Sequence, residues 1–202
     1  ETLKPIVLAS RSPRRISLLH QIGIRPTVVP SHVPEELDAS LSPLENAMQL
    51  ALRKAREIAV QFDEAIVIGA DTIVVLDGML LGKPVNEPDA GRMLRLLSGR
   101  THEVVTGFAL VDSPSGAHVS EYESTFVRFR ELPPEEIAEY IASGSPLDKA
   151  GAYGIQDDYG AVFVTRIEGC FYNVMGFPLS KFYSTLQNFQ SHLSERMYVE
   201  KN

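Results

Sequence analysis

Apolar positions along the chain change period several times, and each change marks an element. Pro5-Ile6-Val7 reads as a short buried strand running straight into Leu8-Ala9-Ser10-Arg11-Ser12-Pro13-Arg14-Arg15. From about Ser12 to Ile22 the period is helical, with Ile16, Leu19 and Ile22 on one stripe and Gly23 as the stop. Ser10 or Ser12 suits the helix cap, and Pro13 a first helical position where no N–H is needed. Arg25 to Val29 reads as a strand. Ser42-Pro43-Leu44-Glu45 is a capping box with Pro at its first helical position, so a second helix starts there. Its stripe is Ala47, Ala51, Ala55 and Ile58, and Lys54 points along that same apolar face.

Ala65 to Leu76 is the most apolar run, rich in β-branched residues, and reads as a strand buried on both faces. Only Asp71 and Thr72 interrupt it, and Gly69 marks a bulge or a close backbone approach. Asp77-Gly78 is a hairpin signal leading to Met79-Leu80-Leu81. A helix begins over Asn86 to Asp89, carries Met93, Leu94, Leu96 and Leu97, and closes at Ser98-Gly99. Strands follow over Glu103 to Val111 and Ala117 to Arg130, joined by a turn at 113–116; alternation from Ser124 to Phe129 gives the second a wet face. Leu132-Pro133-Pro134-Glu135-Glu136 opens a helix that ends at Ser143-Gly144, and Pro146 to Gln156 is glycine-rich and irregular. Ala161 to Ile167 reads as a buried strand and residues near 179–193 as a final helix. Hairpins interleaved with strand–helix steps predict an α/β protein whose mixed, twisted sheet is flanked by helices.

Composition narrows the function classes. The chain has 202 residues, 44% of them hydrophobic, which suits one globular domain over 1–202 with a sizeable core. A formal net charge of −7 argues against a nucleic-acid polymer as partner. The arginines near the N-terminus are a local exception that suits a small anionic ligand. The single cysteine, Cys170, rules out an internal disulfide framework and fits a reducing, cytoplasmic setting. No apolar run approaches the length of a membrane span. No leader is visible, although the sequence starts at Glu1 without Met.

Candidate chemistry gathers at a few positions. Two serines and three arginines at a strand-to-helix junction are either a capped helix with solvated arginines or a polyphosphate cradle backed by the helix dipole. Lys54 either snorkels to a rim or aims at a bound anion. Glu35 and Glu36, in a Pro-broken loop, are either solvated or part of a site. Asp71 inside an apolar strand is costly unless paired, hydrogen-bonded or on a metal, so function is the better reading there. His102, at a strand entrance with no second His at ligand spacing, reads as a turn or surface residue. Lys83 ends a returning strand, and Lys149 sits in the glycine-rich loop. Cations gathered around carboxylates suit Mg²⁺-dependent phosphate chemistry, with carboxylates on the metal and Lys and Arg on the remaining oxygens. A Rossmann dinucleotide site is excluded, since no G-x-G-x-x-G follows a strand.

Ser10-x-Ser12-Pro13-Arg14-Arg15, Gly69-Ala70-Asp71-Thr72, Lys83-Pro84, Ser98-Gly99-x-x-His102-x-Val104-x-Thr106, Asp148 to Gln156 and Asn173 to Leu179 together resemble the Maf family over nearly the whole chain. The resemblance implies a fold shared with inosine triphosphate pyrophosphatases, with a cleft between two lobes. It implies hydrolysis of nucleoside triphosphates to monophosphate and pyrophosphate with a divalent cation, Mg²⁺ or Mn²⁺, as nucleotide-pool house-cleaning, often by a homodimer. Asp71 is then the general base or metal-bound acceptor, and Glu35, or Glu36 in its place, helps hold the metal. Ser10, Arg14, Lys54 and Lys83 are expected on phosphates, and Ser12 and Lys149 among the substrate-binding residues. Arg15, Thr72 and Gln156 match the subfamily acting on dTTP and UTP, and an amide can read a uracil or thymine edge because it both donates and accepts. Asp157-Asp158-Tyr159 departs from the small residues usual there. The sequence is also similar to the Maf-like part of acetylserotonin O-methyltransferase-like proteins, which implies a further domain after Asn202.

Overall fold

A strand buried on both faces needs a layer on each side, and the long central strand organises the molecule accordingly. The computed structural model describes residues 4–113, 115–156 and 158–199. Pro114, in the expected turn, and Asp157, in the expected divergent segment, lie outside the described residues. In chain order the elements are β1 (Ile6–Leu8), α1 (Pro13–Gln21), β2 (Thr27–Val28), α2 (Pro43–Ala59), β3 (Ala65–Leu76), β4 (Met79–Leu81) and α3 (Glu87–Leu97). They continue with β5 (Thr101–Ser113), β6 (His118–Phe129), α4 (Pro134–Ala142), two 3₁₀ turns (Ser145–Asp148 and Ala150–Ala152), α5 (Asp158–Phe163), β7 (Val164–Glu168), α6 (Phe171–Val174) and α7 (Leu179–Val199). Among the described residues the strands form one mixed sheet in the order β2-β1-β3-β5-β6-β7, with β4 paired to the far end of β3.

β1 is parallel to both β2 and β3, whereas β3, β5, β6 and β7 run antiparallel in turn. From β1 the chain crosses outward through α1 to β2, then back through α2 to β3. The crossing direction reverses at β1, and open α/β sheets place their crevice beyond the strand ends at such a point.

Period-two alternation along β3 sorts its residues into layers. Ala65 and Val67 pack on one face with Ala51, Ala55 and Ile58 of α2, and Ile73 and Val75 pack there with Ala47. α2 can lie this close because a Cβ at Gly69 would sit 2.0 Å from the Ala51 carbonyl oxygen, and one at Gly107 2.3 Å from the Ala47 carbonyl carbon. The close approach expected at Gly69 is therefore a helix-on-backbone contact.

On the opposite face, Ile66, Ile68 and Ala70 join Leu18, Leu19, Phe177 and Phe182 in one apolar cluster. Val74 and Leu76 join Leu94, Leu97, Phe129, Tyr140 and Phe163 in another. Thr72, the polar residue between these groups, falls at the gap between the two lobes.

Most of the expected elements are present, with three differences. Residues 25–29 supply only the short, exposed edge strand Thr27–Val28. Residues 161–163 are helical, and the strand that follows, Val164–Glu168, is a largely exposed edge rather than a buried one. A three-residue apolar run does not separate helix from strand, and burying Phe163 against Phe129 and Tyr140 settles it. The last helix runs on to Val199, past the expected end near 193. Asp77-Gly78 does turn the β3–β4 hairpin, with φ of 49° and 80°.

Candidate active site

The edge of β3 facing β1 is paired only as far as Ile68, and β4 takes over only at Val74. This break in the ladder opens into a cleft of about 490 Å³ between the two lobes. Ser10, Ser12, Arg14, Arg15, Glu35, Lys54, Asp71, Thr72, Lys83, Lys149 and Gln156 all line it, so the residues singled out along the sequence converge in one place. Glu36 is exposed and outside that lining; Glu35 is the acid of the pair that faces the cleft.

One wall carries the carboxylates. Asp71 follows Gly69 by two residues on the α2 face, and Lys54 lies one turn beyond Ala51 on the helix pressed against that glycine. Lys54 is buried and donates at 2.7 Å to both Asp71 Oδ1 and Glu35 Oε1. Lys83 donates to the other Glu35 oxygen at 2.7 Å. Burial would raise the Glu35 carboxyl, but the ammonium groups of Lys54 and then Lys83 outweigh it and hold it down at about 2. Two carboxylates thus converge on one cationic atom, with oxygen as the only donor type, which suits a hard divalent cation such as Mg²⁺ or Mn²⁺. Among the described residues no group of three or more His, Cys, Asp or Glu could hold a metal alone. Phosphate oxygens would complete the shell, as is common for Mg²⁺.

The second wall is the start of α1. The Ser12 side chain caps the helix by accepting from the Arg15 N–H, and Pro13 holds the first position. Arg11 bonds the His32 ring at 3.2 Å. Arg14 reaches across the cleft to Asp148 at 3.1 Å, and Lys149 bonds the other oxygen of the same carboxylate at 2.7 Å. Burial would raise that Asp148 carboxyl too, but Lys149 and Arg14 prevail and lower it. Asp148 therefore spans the lobes, a role that sequence reasoning missed; its place beside Lys149 in a glycine-rich loop was the available signal.

Arg15 is committed differently. Its Nε donates to Gly176 O at 2.9 Å, while its terminal nitrogens reach Ser10 Oγ (3.2 Å), Ala70 O (3.0 Å) and Thr72 Oγ1 (3.0 Å). The Ala70 carbonyl belongs to the unpaired stretch of β3, so the guanidinium satisfies a backbone group that the broken ladder leaves open. Most of its five donors are spent on the protein, which makes it chiefly a brace between the lobes. Burial lowers its pKa, partly offset by Asp71.

At the far end the glycine-rich loop docks on β3. Gly151 has φ of 68° and lies so close to Val74 that a Cβ there would meet a Val74 methyl carbon at 2.8 Å. The Tyr140 hydroxyl accepts from the Gly154 N–H at 3.2 Å. His102 is buried rather than superficial and pairs with the Tyr153 hydroxyl at 2.8 Å. Its strand entrance is roofed by this loop, and burial drives its pKa down to about 3. Gln156 differs from every other polar residue of the cleft. Both atoms of its amide are buried without a hydrogen-bond partner among the described residues.

Together these features define an α/β protein with a cleft at the topological switch point of its sheet, lined by carboxylates, ammonium and guanidinium groups and a buried amide. The Maf-like protein family model matches residues 5–189, and the chain belongs to the Maf family. It is 47% identical over 189 residues to the dTTP/UTP pyrophosphatase of Caldicellulosiruptor bescii, covering 92% of this chain and 94% of that protein. A Moorella thermoacetica protein of the same name is 49% identical over 177 residues, with 88% and 91% covered. One from Bacillus cereus (strain ATCC 10987) is 49% identical over 189 residues, with 94% and 92% covered.

Proposed function

We propose that this chain hydrolyses nucleoside triphosphates, preferentially dTTP and UTP, to the monophosphate and pyrophosphate. The observation that carries this reading is the pairing, within one cleft, of a carboxylate–ammonium cluster with an unpartnered amide. The cluster suits a metal-bound polyphosphate, and a buried amide left without partners suits the edge of a base that offers both a donor and an acceptor. The names of the relatives point the same way.

Glu35 and Asp71 would hold the divalent cation. When bound, it would supply Lewis-acid neutralisation of the phosphate oxygens. Glu35 is suited to this because it faces the cleft beside Asp71 and a carboxylate is ionised at neutral pH. Lys54 and Lys83 exchange their carboxylate bonds for phosphate oxygens as the triphosphate enters, and Arg14 and Lys149 do the same as Asp148 gives way. Ser10 and Ser12, at the N-terminus of α1, add hydroxyl donors where the helix dipole favours negative charge. Water attacks the α-phosphorus in line, and its proton passes to the Asp71 carboxylate. A P–O bond forms there, the bridging bond to the β-phosphate breaks, and pyrophosphate leaves with the electron pair. Gln156, which lines the same cleft as Thr72, orients the base.

The test is to incubate the protein with Mg²⁺ and each of dTTP, UTP, CTP, GTP and ITP, measuring pyrophosphate and orthophosphate separately. Pyrophosphate from dTTP and UTP without orthophosphate is the expected result. Pyrophosphate mainly from ITP or GTP would overturn the role given to Gln156. No release from any of them, with dTTP still bound, would make the chain a nucleotide-binding module instead. A homodimer and a cytoplasmic setting are proposed on the family resemblance alone; sedimentation and localisation would check them. Among the described residues no helix is long and apolar enough to cross a membrane.

A further inference from the structure

Glu35 lies on a segment without helix or strand, residues 29–42, although it has to meet Asp71 on a rigid strand. The segment is strapped along α2 at three points, running antiparallel to it. At the C-terminal turns of α2, Glu57 Oε2 accepts from the Ser31 hydroxyl at 2.5 Å and from the His32 N–H at 2.9 Å. In the middle, Lys54 holds Glu35 itself. Near the helix start, Asn46 accepts from the Asp38 N–H at 2.7 Å and returns its amide N–H to the Asp38 carbonyl at 2.8 Å. The Ser31 hydroxyl also accepts from the Val33 N–H at 3.2 Å, closing the turn that leads into Glu35.

Lys54 will leave Glu35 if it moves to phosphate. The two outer straps are then what keeps this carboxylate opposite Asp71. We propose that Glu57 is a positioning residue for Glu35, with Asn46 as its counterpart at the other end of the segment. Neither touches the cleft, and α2 is their common frame. The same helix, pinned to the sheet through Gly69 and Gly107, thereby sets both the Lys54–Asp71 contact and the Glu35 loop. Partners that orient a metal-holding carboxylate in this way are worth about 10–100-fold in metal affinity.

This inference rests on the reading of Glu35 as a metal-holding group, and the experiment separates the two. Mn²⁺ is titrated into the whole protein by electron paramagnetic resonance for wild type, Glu57→Ala, Glu57→Gln, Glu35→Ala and the double variant Glu35→Ala/Glu57→Ala. Amide exchange at His32 and Val33 and the melting temperature are read alongside. Glu57→Ala is expected to weaken Mn²⁺ binding about tenfold, with faster exchange at those amides, while the dTTP KM at saturating Mn²⁺ stays near wild type. Glu57→Gln keeps an acceptor and recovers most of the affinity. The double variant binds Mn²⁺ no more weakly than Glu35→Ala alone, because Glu57 acts through Glu35. Glu57 is only half-buried, and should Glu57→Ala fail to fold, Ser31→Ala removes the other half of the same bond. Unchanged Mn²⁺ affinity in Glu57→Ala, or additive losses in the double variant, would overturn the positioning role alone. Wild-type Mn²⁺ affinity in Glu35→Ala would overturn the reading beneath it.

Discussion

The two ends of the cleft handle polarity in opposite ways. At the phosphate end, Lys54 and Lys83 hold Glu35, Lys54 also holds Asp71, and Arg14 and Lys149 share Asp148. At the other end, which the proposed function assigns to the base, the Gln156 amide is buried with no partner among the described residues. The difference follows from charge. An unpaired buried charge costs several kcal/mol, and the buried members of this set, Lys54, Asp71 and Lys149, are all paired. An unpaired amide costs about 1–3 kcal/mol, which a fold can carry. On the function proposed above, the ion pairs of one end are exchanged for phosphate oxygens and the amide of the other meets the base. Exchange suits a ligand with many charges, and the orphaned amide suits one with a matching edge.

The largest loss is expected at Asp71. Asp71→Asn keeps the shape and loses the charge, so turnover should fall about a thousandfold or more, as for removal of a positioned base. Calorimetry should still show dTTP bound; near-normal pyrophosphate release would remove Asp71 from the chemistry. Lys54→Met should lower kcat about a hundredfold by deleting one stabilising cation. It should also let the Glu35 carboxyl climb from about 2 toward its ordinary 4.5, since Lys54 is the strongest influence lowering it. A carboxyl titration by NMR reads that shift, and a carboxyl that stays low would assign it to Lys83 instead.

Gln156→Ala probes the other end of the cleft. Preference for dTTP over GTP should drop about tenfold, near the worth of one matched polar contact, with a smaller loss in the dTTP rate itself. An equal loss on every triphosphate would make Gln156 structural. Beneath the base end, His102 bears on stability. Its folded pKa of about 3 lies below the ordinary 6.5, so between these values the unfolded chain takes up a proton that the folded chain does not. The stability contributed by neutral His102 is thus fully present above pH 6.5 and is lost as the pH falls toward 3. The slope is at most about 1.4 kcal/mol per pH unit. Denaturant unfolding of His102→Phe should show a flatter profile over that window, whereas a profile matching wild type would place the titration elsewhere.

Much of this architecture is legible along the chain because its signals are local. The Ser42 to Glu45 capping box, the Asp77-Gly78 hairpin and the buried run at 65–76 each depend on a few neighbouring residues, and each stands where it was expected. An acid in an apolar strand needs a partner, which marks Asp71 along the sequence, whereas its partner Lys54 is set by the packing of α2. The less legible parts depend on contacts distant in sequence. Phe163 is helical because Phe129 and Tyr140 surround it, and His102 is buried because a loop about fifty residues later covers it. Asp148 bridges the lobes through Arg14, which is separated from it by 134 positions.

Most of the helices, the hairpin, the central strand and the list of residues with chemistry to offer follow from local signals along the chain. Periodicity, caps and turns act within a few residues, and a buried charge announces itself wherever it stands. Long-range packing makes Arg15 a brace, sets Glu35 rather than Glu36 against Lys54, and leaves Gln156 without a partner among the described residues. Those outcomes hang on where β1 stops along β3 and on how closely α2 approaches Gly69. Both are set by packing between segments that the chain brings together only when folded.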